Sequence, residues 1–288
     1  MKNTTILVGG ATGATGSVAA KLLSEKGFSV RALVHNEDDR SRKLQDLGAE
    51  IIICDLLDFR SVQRAFVGIK RAYFVYPIRP GIVQASVHFA EAAREAGTEF
   101  IVNMSQKTAH EDAKSNSALQ HWLTERVFDW AGVPVVHLRP TVFNEWLLYM
   151  KKQIAAGTYA VPFSPNARFA PISAVDQGAV IAGILADPEP HIGKTYPLFG
   201  PVELSPLQIA EIVSKTLEKD VRYEHITGEQ WVRNLHGQDI PFVSQHLKEA
   251  TDDVEVGIFA GTNNIVEQIT GRPPMTVSEF VEKHRQDF

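Results

Sequence analysis

Residues 6–23, ILVGGATGATGSVAAKLL, set an apolar run, a glycine-punctuated loop and a helical pattern in succession. The spacing is Gly10-x-x-Gly13-x-x-Gly16. Gly10 frees the backbone for a tight turn, Gly13 lets the main chain approach a pyrophosphate with no Cβ in the way, and Gly16 permits close helix–strand packing. The helix that follows offers N–H donors and the positive end of its dipole to an anion. The loop lacks the Lys-Ser/Thr pair that a triphosphate loop carries, which disfavours ATP or GTP. With a strand before it, a helix after it and a second strand ending near residue 35, the segment predicts a dinucleotide cradle made by Gly10, Thr12, Gly13, Ala14, Thr15 and Gly16.

The second strand selects between cofactors. An acid about 20 residues beyond the glycines would hold a ribose hydroxyl, as NAD requires, and a basic group would suit the 2′-phosphate of NADP. Here the strand runs into LVHNEDDRSRK, with His35 and Asn36 at its tip and Arg40 and Arg42 following. This favours NADPH, with NADH as the alternative. Glu37, Asp38, Asp39, Arg40 and Arg42 also read as a solvated helix start that touches nothing.

Outward from the loop, strand-like runs (TTILVGG, FSVRALVH, EIIICDL, RAYFVYP, EFIVNMS, VPVVHLRP) alternate with helix-like segments at 16–26, 39–47, 60–67, 82–96 and 116–131. That alternation predicts an α/β fold, a doubly wound parallel sheet of Rossmann type. Gly27, Gly48, Gly97 and Gly132 stand where helix C-caps belong. After residue 144 the alternation loosens. Helices are expected at 173–186, opening on Ser173 with Asp176 three residues later, and at 205–218, and KTYPLFG and VRYEHI read as strands. The expected division is a dinucleotide-binding lobe over 1–150, with part of 170–200 returning to it, and a smaller, partly interleaved α/β lobe over 151–288 that binds substrate.

The 288 residues are 44% hydrophobic, ample for a sizeable core, and the formal charge of −5 argues against direct binding to nucleic acid. No apolar run reaches the length of a membrane span and no signal-peptide pattern opens the chain, so a cytoplasmic location is expected. The single cysteine, Cys54, lies in the apolar run AEIIICDLL and reads as a buried core residue. The ten histidines are scattered without metal-ligand spacing, so no metal is expected.

At this point the chain resembles the NmrA-like branch of the short-chain dehydrogenase/reductase superfamily, nearly end to end. The likeness rests on GATGATG, DLLDFRSVQRAF, HLRPTVFNEW, APISAVDQGAVIAGILADPEPHIGKTYPLFGP and TGRPPMTVSEFVEKH. It implies that Asp55 and Leu56 line the adenine, that the loop holding Tyr76 and Pro77 passes the middle of the cofactor, and that Thr141, Phe143 and Asn144 flank the nicotinamide. Family members often carry arginine where this chain has His35. Conventional superfamily members use a Tyr-x-x-x-Lys pair, but the matching helix here reads SALQHWLTERVF, with Ser117 at the tyrosine position and His121 at the lysine position.

Ser117, His121 and Glu125 project within one sector of that helix, with Leu119, Trp122, Leu123, Val127 and Trp130 expected on the core side. The resemblance puts that sector beside the cofactor cleft and makes His121 and Ser117, with Ser105 after the fifth strand, the catalytic candidates, and Glu125 is expected to orient them or lie at the surface. Without a placed tyrosine, the expected substrates are those that delocalise an incoming electron pair: quinones, azo dyes and triphenylmethane dyes. Asn144, Trp146, Tyr149, Phe163 and Phe169 are the candidate lining of a flat apolar pocket. The expected activity is direct hydride transfer to a small aromatic acceptor without flavin. The competing expectation is a dinucleotide-binding redox sensor that passes its state to a regulatory protein partner.

Overall fold

The computed structural model describes residues 4–288. In chain order the elements begin β1 (Thr5–Val8), α1 (Ala14–Glu25), β2 (Ser29–Val34), α2 (Asp39–Asp46), β3 (Glu50–Ile53), α3 (Phe59–Ala65), β4 (Arg71–Phe74), α4 (Ile82–Glu95), β5 (Phe100–Met104), α5 (Asn116–Trp130) and β6 (Val135–Pro140). They continue α6 (Trp146–Tyr149), α7 (Lys151–Ala155), β7 (Thr158–Val161), α8 (Ala174–Ala186), β8 (Thr195–Leu198), α9 (Pro206–Leu217), β9 (Arg222–His225), α10 (Gly228–His236), α11 (Pro241–Glu255), α12 (Ile265–Thr270) and α13 (Val277–Lys283).

A seven-stranded sheet runs β3-β2-β1-β4-β5-β6-β8. Its pairings are parallel, with Ile6 opposite both Val30 and Arg71, and Val102 opposite both Tyr73 and Val136. Covering helices on both faces explain why β5 is buried at every position, whereas β3, at one end of the order, leaves Ile53 exposed. The chain is therefore an α/β doubly wound fold of Rossmann type. Gly27, Gly48, Gly97 and Gly132 all take positive φ where their helices end. The short strand β7, which pairs in parallel with β9, has no counterpart among the sequence expectations.

Two compact units divide the chain. The first comprises residues up to Ser105 with Gln120–Arg139 and Gln177–Tyr196, and the second comprises Gln106–Leu119, Pro140–Asp176 and Pro197–Phe288. Residues 106–119 and 140–150 belong to the second unit, where Thr141 N–H donates to Leu198 O at 3.1 Å and Asn144 N–H to Ile172 O at 3.0 Å.

The first unit's core is built on Phe66, Phe74, Phe89 and Phe128, whose rings meet edge to face at 4.7–5.1 Å in three of the pairs. Each such buried ring contributes roughly 2 kcal/mol by removal from water. Helix α8 returns against α1 so closely that a Cβ at Gly178 would lie 2.6 Å from the Val18 Cβ. In the second unit Trp146 stacks on Phe163 at 5.7 Å and meets Trp231 at 4.6 Å, and Phe163 lies 5.1 Å from Phe169. Among the described residues no helix is long and apolar enough to cross a membrane.

Candidate functional site

The glycine loop is held from both sides. Gly9 N–H donates to Tyr73 O at 2.9 Å and Ala11 N–H to Leu33 O at 3.2 Å, so the turn leaves β1 pinned to β4 and β2. Gly10 has φ +55°, a conformation that L side chains resist. A Cβ on Gly16 would fall 2.3 Å from Gly10 O, so only glycine lets α1 start this close to the loop. Gly13 is the N-cap of α1 and no side chain caps the helix there. Gly13 and Ala14 are exposed, Thr12 is half-buried, and Thr15 is buried with its Oγ1 2.9 Å from Tyr73 Oη. Burial pushes the Tyr73 phenol above its usual range, so the pair stays a neutral hydrogen bond. An uncapped helix N-terminus beside bare backbone is a cradle that suits a diphosphate.

At the end of β2, His35 and Asn36 are exposed. Arg40 turns to Asp38, donating from Nε and Nη2 to Oδ2 at 2.9 and 2.6 Å, and Arg42 pairs with Asp39 at 2.6 Å. The Arg40 bond holds the Asp38 carboxyl below the usual carboxylate range. The basic charge here is thus matched within the first turn of α2. Asp55 is exposed and accepts Leu57 N–H at 2.9 Å, while Leu56 is half-buried with its carbonyl 3.0 Å from His88 Nδ1. Tyr76 is buried, its hydroxyl donating to Pro80 O at 3.2 Å, and Pro77 opens the exposed loop beyond it.

Helix α5 reverses one expectation. Its buried face carries Ser117, His121, Thr124 and Glu125, whereas Leu119, Trp122, Leu123 and Val127 are half-buried and Trp130 is 77% exposed. The polar stripe faces inward because β6 answers it. Arg139 donates to Glu125 through Nε at 2.8 Å and Nη2 at 2.5 Å, a bidentate grip on a fully buried carboxylate. One turn on, Asn103 Nδ2 donates to His137 Nδ1 and His137 Nε2 to Asp129 Oδ1, each at 3.0 Å. Glu125 is therefore not a surface residue. His121 is buried, and Ser117 Oγ accepts from Gln106 Nε2 at 3.5 Å. Ser105, just past the carboxyl end of β5, is 3% exposed and its hydroxyl has no hydrogen-bond partner among the described residues.

In the second unit Thr141 donates its hydroxyl to Ala170 O at 2.6 Å, and Phe143 bridges to Ile172. Asn144, Phe143, Trp146 and Phe169 line one hollow of about 10 Å³, room for a single water. Asn144 is buried, and neither atom of its amide has a hydrogen-bond partner among the described residues. Phe163 and Phe169 are core residues, at 2% and 0% exposure, and Tyr149 is exposed, so the five aromatic and amide candidates do not form one pocket wall.

Several residues of consequence escape the sequence reading. The α8 N-terminus gathers two carboxylates: Glu145 accepts Ala174 N–H at 2.9 and 3.0 Å, and burial raises the Glu145 carboxyl above its usual range. Asp176 accepts from Ser173 Oγ at 2.7 Å and Met275 N–H at 2.8 Å, and pairs with Arg272 at 2.8 Å. The capping motif announces Ser173 and Asp176, but nothing local announces the distant Arg272. Likewise Ser115, the residue before α5, accepts Ala118 N–H at 3.2 Å and donates to His246 Nδ1 at 2.8 Å. Among the described residues no group of three or more His, Cys, Asp or Glu could hold a metal ion.

The model of the NmrA-like family matches residues 2–280. The chain belongs to that family. Among relatives of this NmrA-like chain, an NAD(P)H azoreductase of Xenophilus azovorans is 29% identical over 290 residues, covering 98% of this chain and 99% of the relative. A quinone oxidoreductase of Escherichia coli crystallised with NADPH superposes with a TM-score of 0.83 at 21% identity, covering 96% of this chain and 99% of that one. NmrA itself, a negative transcriptional regulator crystallised with NAD, does so at 0.83 and 17% identity, covering 98% and 95%. At those identities the two structures establish the shared fold. The Tyr-x-x-x-Lys pair of conventional superfamily members is missing from α5, where the NmrA-like chain has Ser117 and His121.

Proposed function

We propose that this chain is an NAD(P)H-dependent reductase of quinone-like or dye-like aromatic acceptors, azo and triphenylmethane compounds included, acting by direct hydride transfer without flavin. The observation that carries the reading is the α1 N-terminus, where Gly16 admits no Cβ and Gly13 leaves the helix end bare. The end-to-end likeness to an azoreductase supports the acceptor class. NADPH is the favoured donor and NADH the alternative.

The bound reduced nicotinamide would supply the hydride. The protein's part is to bind, orient and manage a proton. Gly13 N–H is bonded to Gly10 O at 2.8 Å, so the amides that would meet the diphosphate begin at Ala14, and Thr15, tied to Tyr73, fixes the first turn of the helix. His121 positions cofactor or acceptor from the buried face of α5, whose orientation is set by the Glu125–Arg139 pair. Ser105, with its unpartnered hydroxyl, and Ser117 are the remaining polar groups proposed to hold or relay a proton. An acceptor that becomes an aromatic phenolate or a stabilised anion needs no stronger acid than these or water. Planar rings held close together carry most of the rate.

Mixing the protein with NADPH and a panel of quinones and azo dyes, and following the nicotinamide absorbance, tests the reading. Acceptor-dependent oxidation is expected. Saturable NADPH binding with no oxidation across the panel would instead support a redox sensor with a protein partner, a reading that the missing tyrosine and lysine fit equally well.

A further inference from the structure

The strand order β3-β2-β1-β4-β5 changes direction between β1 and β4, and an open parallel sheet takes its ligand in the crevice beyond the carboxyl ends of such a pair. Two loops border that crevice, residues 9–13 and 75–81, and they pack on one another. Gly9 N–H is bonded to Tyr73 O, and a Cβ on Gly10 would lie 2.7 Å from Val75 Cγ1. The second loop then folds back on itself. Arg79 N–H donates to Pro77 O at 2.8 Å, and the Tyr76 hydroxyl reaches Pro80 O at 3.2 Å. Gly81 closes the fold at φ +112°, where a Cβ would lie 2.7 Å from Tyr76 Oη. The Arg79 guanidinium is thereby carried over the Tyr76 ring, 5.2 Å from its centroid, beside the residue that packs on Gly10.

Charge singles Arg79 out. The two loops read GGATG and VYPIRPG, so it is the one charged residue they contain. At the neighbouring carboxyl end of β2, Arg40 and Arg42 are already matched by Asp38 and Asp39. Arg79 is exposed, and among the described residues it has neither a carboxylate partner nor a hydrogen bond from its side chain. Contact with a ring face uses the cation and leaves the N–H fork free, and that fork matches paired phosphate oxygens. The start of α1 offers backbone amides and the partial charge of a helix end, whereas a diphosphate brings full negative charges.

We propose that Arg79 binds the diphosphate of the dinucleotide from the β4 side of the crevice, across from the glycine loop. This rests on the dinucleotide part of the reading above and is independent of hydride transfer. NADPH and NADH share the diphosphate, so Arg79 strengthens both alike and leaves the choice between them to the end of β2.

Titration calorimetry of NADPH, NADH and ADP-ribose into wild type, Arg79→Met and Arg79→Lys, at low and high salt, tests the assignment. Arg79→Met is expected to weaken all three nucleotides by about 10-fold at low salt, and to flatten the salt dependence of each. Arg79→Lys keeps the charge and is expected to recover part of that loss. The residue is exposed, so both variants are expected to melt with wild type. Equal affinities in all three proteins overturn the proposal. So does a loss confined to NADPH, which would put Arg79 at the 2′-phosphate, and so does a salt-independent loss of the same size in both variants, which would mark a packing role against Tyr76. Wild type that binds none of the three nucleotides would overturn the dinucleotide reading itself, and this assignment with it.

Discussion

Arg139 on β6 holds Glu125 on α5 through two parallel bonds, with the Glu125 side chain fully buried and the Arg139 side chain 26% exposed. This pair turns the polar stripe of α5 inward and gives each Glu125 carboxyl oxygen a hydrogen-bond donor away from water. A buried ion pair adds little net stability over an apolar pair, but breaking one side leaves a stranded charge. Glu125→Ala is therefore expected to lower the unfolding free energy by about 3 kcal/mol, and Glu125→Leu with Arg139→Leu to recover most of that loss. Urea unfolding of the single and double variants checks it.

His246 makes stability fall in acid. Burial lowers its pKa from 6.5 to about 4, and its Nδ1 accepts from Ser115 in the neutral form. Because the folded value lies below the unfolded one, the stabilisation is complete above pH 6.5 and is lost as pH falls from 6.5 toward 4. The loss across that window amounts to about 3 kcal/mol. Thermal melts from pH 7 to pH 4 are expected to show a shallower acid slope in His246→Gln than in wild type, and equal slopes would remove the histidine from the account.

Gly16→Ala is expected to fail structurally. Its new Cβ would sit 2.3 Å from Gly10 O and 3.0 Å from Gly9 O, both backbone atoms that cannot swing aside. Overpacking of this kind costs about 1–3 kcal/mol or more, so the melting temperature falls along with dinucleotide binding. A melting temperature equal to that of wild type would contradict the close approach of α1 to the loop.

His35 is exposed at the end of β2, and Arg40 is engaged with Asp38. A permanent cation at 35 would meet a 2′-phosphate that faces it. His35→Arg is expected to raise NADPH affinity relative to NADH by about 10-fold at low salt, with the gain shrinking as salt rises. An unchanged ratio of the two dissociation constants would remove residue 35 from the 2′ position.

The alternation through β6 is legible in the sequence because buried parallel strands read as unbroken apolar runs and glycines mark the helix ends. The second unit is less legible. The four residues of β7, TYAV, lie among prolines and owe their strand state to pairing with β9, far along the chain. The face of α5 is misjudged for a like reason: Leu119, Trp122, Leu123, Val127 and Trp130 look like the core side until Arg139 is placed opposite Glu125. Trp146, Phe163 and Phe169 show the limit of composition, since an aromatic ring serves a core and a pocket equally well. Only the stacking of Trp146 on Phe163 and its contact with Trp231 assign these rings mainly to the core.

Titration calorimetry of NADPH into wild type and Gly13→Val bears most directly on the diphosphate cradle. A Cβ at Gly13 would lie 3.1 Å from Gly10 O and valine is a poorer N-cap than glycine, so the variant is expected to fold with a lowered melting temperature while its side chain crowds the cradle; φ there is −83°, open to any residue. The account predicts saturable binding to wild type and affinity weakened by about 10-fold or more in Gly13→Val, measured well below the melting temperature of the variant. No saturable binding to wild type, or equal affinity in the two proteins, would contradict it.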